Sequence, residues 1–168
     1  MNRRLFLIVA ALAIAAQPRY SWRSNPPPQG EFSLALARVW AAAAQADPFQ
    51  SIRGEADAQA GNWHTLSLPG SSGCRLYRVA RAMHDWEYRC SLTGPKAELA
   101  PAYRNVQRLV HDWRDDWKVR PSHNVYGNTT WFFYEGVNSP VVYLNLTTDT
   151  LTLAVYPPPK PRQANGSE

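Results

Sequence analysis

Cys74 and Cys90 lie eight residues either side of Ala82, on two runs, Cys74 to Arg81 and Trp86 to Leu92, rich in tyrosine, valine and tryptophan. Such runs read as strands, and a hairpin turning at Ala82-Met83-His84-Asp85 sets the two cysteines opposite each other. Opposed strand positions bring Cβ atoms within about 4.5 to 5.5 Å, close to what a disulfide requires. The spacing therefore predicts a Cys74–Cys90 bridge that pins the register of a central hairpin. Closing a loop of that size contributes on the order of 3 kcal/mol in the chain-entropy account. With only two cysteines, a four-cysteine zinc site and a disulfide-built mini-protein are excluded. A redox-active pair would want Cys-x-x-Cys spacing, which is absent.

A bridge persists in an oxidising compartment, and the start of the chain reads as a route to one. Arg3 and Arg4 precede Leu5 to Ala16, twelve residues without a charge or polar side chain, ending in small residues at Ala13 to Ala16. This is the pattern of an export signal, residues 1–16. The run is shorter than the roughly 20 apolar residues that span a bilayer, so no membrane span is expected once it is cleaved. Arg3-Arg4-Leu5-Phe6-Leu7 resembles a twin-arginine signal, although Ile8 stands where such signals usually carry lysine. The expected location is periplasmic or secreted. Cleavage would leave 16 basic against 13 acidic side chains, a net charge of +3. Only Arg75, Arg78 and Arg81 approach the density of a nucleic-acid footprint, so nucleic acid is not the expected partner.

Eight of the 14 prolines fall in two stretches, Pro18 with Pro26 to Pro28, and Pro157 to Pro159 with Pro161. Proline favours extended spacers, so residues 17–30 read as a linker, 31–156 as a single domain and 157–168 as a tail. Within the domain a helix should begin at Ser33 and end before Pro48. A short strand from Trp63 follows, and Leu68 to Gly73 is a turn before the cysteine hairpin. Tyr103, Val106, Val110, Trp113 and Trp117 recur at intervals of three and four, which gives a second, amphipathic helix. Thr129 to Glu135, Val141 to Thr147 and Thr150 to Tyr156 are then three strands. With Thr148-Asp149 at the tip of the last hairpin, Leu146, Leu144 and Val142 oppose Leu151, Leu153 and Val155 on one face. The order α-β-β-β-α-β-β-β predicts an α+β domain with a mainly antiparallel sheet and helices on one face.

Chemistry-bearing patterns are few. His64, His84, His111 and His123 fall on separate elements and form no metal signature, so no metal or other cofactor is assigned. Gly70-Ser71-Ser72-Gly73 is not a nucleophile elbow, because it joins strand to strand. Glu87 and Glu135 are the strand carboxylates to measure for glycoside cleavage. The candidate binding surface is aromatic: Trp131, Phe132, Phe133 and Tyr134 are consecutive in a strand, so one pair faces away from the helices. Trp131 and Phe133, with Tyr143 and Tyr156 on the following strands, make up the expected platform for a protein, peptide or carbohydrate partner. The expected function is an exported, non-catalytic binding domain. The alternative is a small secreted hydrolase acting on cell-wall or polysaccharide material. Mass spectrometry of the exported protein should show a chain lacking residues 1–16 that gains two hydrogens on reduction; free thiols before reduction would refute the bridge.

Overall fold

The computed structural model describes residues 20–57, 61–79, 84–123, 129–134, 136 and 138–159, without the side chains of 121–123 and 129–133. The expected leader, Arg81, Glu135 and the tail beyond Pro159 lie outside that set.

Among the described residues two helices and eight strands alternate as one helix and four strands, twice. Helix α1 spans Gln29–Ala43, followed by a short 3-10 turn at Gln50–Ile52 and strands β1 (Arg53–Asp57), β2 (Asn62–Thr65), β3 (Cys74–Arg78) and β4 (Trp86–Thr93). Helix α2 (Lys96–Trp113) leads to β5 (Lys118–His123), β6 (Thr129–Tyr134), β7 (Val141–Leu146) and β8 (Thr150–Tyr156). The sheet runs β1-β2-β3-β4-β8-β7-β6-β5, every pair antiparallel. Two four-stranded meanders thus meet at β4 and β8. The class is α+β, as the order of elements predicts, and the sheet gains a further strand at each outer edge, β1 and β5. Neither edge was legible as a strand: β1 carries Gly54, Glu55 and Asp57, and β5 contains Pro121, all depleted in strands.

The last hairpin pairs as its hydrophobic pattern demands. Val142 faces Val155, Leu144 faces Leu153 and Leu146 faces Leu151, and all six side chains are buried. Cys74 pairs with Cys90 and the two are disulfide-bonded, with Cα atoms 4.3 Å apart. Beside them the fully buried Tyr88 hydroxyl donates to the Leu66 carbonyl at 2.9 Å, and burial holds its phenol pKa well above the usual value. Helices α1 and α2 pack on each other and against β7 and β8, burying Phe32, Leu36 and Val39 from α1 and Leu99, Val106 and Val110 from α2. No helix among the described residues is long and apolar enough to cross a membrane.

Three boundaries differ from the sequence reading. Helix α1 begins at Gln29, directly after the extended Pro28, instead of at Ser33. Helix α2 ends at Trp113, so Trp117 leaves the helical stripe and turns back to pack on Trp40 at 4.2 Å and Trp113 at 4.8 Å. The segment 20–28, expected to be a spacer, is part of the body. Trp22 is fully buried; its backbone N–H donates to Gly70 O and its indole N–H to Pro69 O, at 3.0 and 2.8 Å. Asn105 on α2 donates to the Trp22 carbonyl at 2.9 Å. Proline-rich composition reads as solvated chain, and one deeply buried tryptophan overrides it. Gly70 makes the seat: at φ +83° it adopts a left-handed conformation, and a Cβ there would meet the Trp22 ring at 2.6 Å. Trp22→Ala should cost about 3 to 5 kcal/mol, read as a lower urea midpoint, and Gly70→Ala should also lower it. A free spacer at 20–28 would leave both midpoints unchanged.

Candidate functional site

Alternation along β4 sends Trp86, Tyr88 and Cys90 to the helix-covered core, and Glu87, Arg89 and Ser91 to the other face. On that face, which carries no helix among the described residues, the register lays residues in rows across the strands. His64, Arg75, Arg89, Ala154 and Tyr143 form one row, continued in register by Phe132 and Arg120. The next row holds Asn62, Tyr77 and Glu87 on one meander and Tyr156 and Val141 on the other. A third holds Ser91, Thr152 and Asn145.

At the centre lies an ion pair. Glu87 is only 1% exposed, and both its oxygens accept from Arg89, at 2.7 Å from Nε and 2.8 Å from Nη2. This is the two-pronged geometry that makes arginine–carboxylate pairs strong and directional. The Arg89 guanidinium also sits 4.7 Å from the Tyr77 ring centre. Its pKa is raised further, chiefly by the hydrogen bond to Glu87, so it stays cationic. Tyr156 packs edge-on to Tyr143 at 6.2 Å and is flanked by His84 at 5.4 Å. Tyr77, Tyr143 and Tyr156 are each half-exposed, whereas Ala154 and Glu87 beneath them are covered. The face is therefore a fixed arginine–glutamate pair with a tyrosine rim.

The expected platform residues divide by register. Tyr143 and Tyr156 lie on this face. Trp131 pairs with Leu144 and Phe133 with Val142, whereas Phe132 pairs with Tyr143 and Tyr134 with Val141. Glu135 lies outside the described residues, so its separation from Glu87 is not defined. His64 is exposed on β2, His111 is exposed beside Asp112 at 3.3 Å, and His123 ends β5. Ser71 donates to the Leu68 carbonyl at 2.7 Å and stands 3.4 Å from Cys74 Sγ, a turn-closing role. Among the described residues no cluster of His, Cys, Asp or Glu could hold a metal ion.

Concave regions among the described residues flank the sheet, two of them lined as follows. One, of about 430 Å³, lies at the strand ends between Trp86, His84, Asp85 and the prolines 157–159. The other, of about 640 Å³, lies between α1 and the start of β1 and is lined by Arg38, Gln45, Ser51 and Arg53. In neither do the lining residues pair a hydroxyl or thiol nucleophile with a base.

Comparison with protein-family models, with curated proteins and with solved structures finds no match to this chain. Sequence reading missed Tyr77, Glu87 and Arg89 as a unit. The signal was present in the period-two alternation of β4, but the partner strand was not. Arg89→Ala should cost about 2 kcal/mol, below the 3 to 5 of a fully buried pair because Arg89 is 36% exposed. Adding Glu87→Gln should recover part of that loss in urea unfolding, since no buried charge is then left alone. Strict additivity of the two changes would contradict the pairing.

Proposed function

We propose that this chain is an exported domain, periplasmic or secreted, that binds a protein, peptide or carbohydrate partner without acting on it chemically. The observation that carries the reading is the helix-free sheet face, where half-exposed Tyr77, Tyr143 and Tyr156 rim a rigid Arg89–Glu87 pair. Tyrosines offer flat apolar area with a polar tip, and little side-chain entropy is lost when rings already packed on neighbours meet a ligand. The bridge and the apolar segment 5–16 support export, because a disulfide forms and persists outside the reducing cytosol.

Glu87 fits a structural role better than a catalytic one. Both its oxygens are occupied as acceptors from one guanidinium, which leaves no lone carboxyl poised over a substrate. The test is retention on immobilised chitin, cellulose and polygalacturonate and on a phage-displayed peptide library. At least one should be retained, and Tyr143→Ala or Tyr156→Ala should weaken retention about tenfold, or about 1.4 kcal/mol, with thermal unfolding still cooperative. Equal retention by both variants would move binding off this face. New reducing ends released from a bound polysaccharide would establish the hydrolase instead.

A further inference from the structure

The rows on the helix-free face are ordered by chemistry. Cations stand on either side of β8, β7 and β6: Arg75 and Arg89 on β3 and β4, Lys118 and Arg120 on the edge strand β5. Between them lies aromatic surface, with Tyr143 and Tyr156 on β7 and β8. Alongside runs the row of hydroxyl and amide groups, Ser91, Thr152 and Asn145. Five strand steps separate Arg75 from Arg120 in the sheet order, about 24 Å at the usual spacing. Each step is close to the advance of one sugar ring along an extended polysaccharide.

Charge narrows the ligand further. Glu87 is consumed by Arg89, and Glu55 and Asp57 on the outer strand β1 are the other carboxylates that the register places on this face among the described residues. Among the described residues four cations against three carboxylates leave the face positive, and Arg75, Lys118 and Arg120 stand away from the acidic edge strand, so an anionic chain laid from β3 to β5 is attracted. Arg89 shows how the face takes a carboxylate: Nε and Nη2 are used by Glu87, and Nη1 makes no hydrogen bond among the described residues. Arg75 is half-exposed and anchored by one bond to its neighbour's carbonyl, 2.9 Å to Cys74 O, which leaves the rest of its fork for a ligand.

We propose that this face binds an acidic polysaccharide of the uronate class, laid across the strands, with carboxylates on Arg75 and Arg120 and sugar rings over the tyrosines. The proposal rests on the binding-face reading above and adds the ligand class. The hydroxyl and amide row favours a polyhydroxylated chain over single-stranded nucleic acid, for which stacking and phosphate contacts suffice.

The test is titration calorimetry of the full exported chain with polygalacturonate, with the same polymer fully methyl-esterified, and with oligothymidylate. The acid form should bind at least tenfold more tightly than the ester, and added salt should weaken it. Arg75→Gln and Arg120→Gln, both at exposed or half-exposed positions, should each weaken acid-form binding several-fold and leave the ester unchanged. Tyr143→Ala should weaken both forms. Equal binding of acid and ester, still lost in Tyr143→Ala, would overturn the uronate assignment and leave the face intact. Oligothymidylate binding more tightly than polygalacturonate, and sensitive to the same substitutions, would replace it with nucleic acid. Insensitivity of every probe to all three substitutions would overturn both the ligand class and the face.

Discussion

The pairing of β4 with β8 is the contact on which the rest of this fold depends. It joins two meanders that are far apart in sequence into one sheet, aligning Tyr88, Cys90 and Leu92 with Val155, Leu153 and Leu151. Because side chains alternate across a sheet, a slip of one residue would exchange the two faces. The bridge at Cys74–Cys90 holds β3 to β4, and the buried Tyr88 hydroxyl ties the same strand to the chain at Leu66. Strand β4 is thus fixed from one side by the bridge and Tyr88, and from the other by β8. The helices then need cover only one surface, since the leucines of β7 and β8, with Val142 and Val155, have been sorted onto it.

The surface left uncovered has a different logic. A buried ion pair is weak evidence for stability, because desolvation offsets much of the attraction. Its contribution at Glu87 and Arg89 is positional: the guanidinium is held in one orientation, against Tyr77 and beside the β8 backbone of Ala154. Ala154 supplies the room, as a small residue at the one place where Arg89 and Tyr143 converge from both sides. The central row is therefore pre-ordered without any contribution from the helices.

The proline-rich segment before α1 illustrates how little composition says about a single anchor. Pro28 does set an extended approach to the helix, as proline should. Trp22, earlier in the segment, is nevertheless sealed between the Leu68–Gly70 turn and α2, and its polar groups are satisfied there. Burying one indole outweighs the preference of its neighbours for solvent.

Local pattern alone determined the cysteine pairing, the register of the β7–β8 hairpin, the apolar stripe of α2 and the α+β class, because each rests on a period of 2 or 3.6 within a short window. The same pattern put Tyr143 and Tyr156 opposite the core. The edges β1 and β5 became strands only through their neighbours, whose backbone groups outweigh the poor propensity of glycine, acidic residues and Pro121. Whether Glu87 would be a solvated carboxylate or a buried one was likewise a tertiary matter. It depends on which strand lies beside β4, and Tyr156 and Ala154 arrive there from more than sixty positions further along the chain. Pairing across that distance is set by global packing of the core, and no local alternation encodes it.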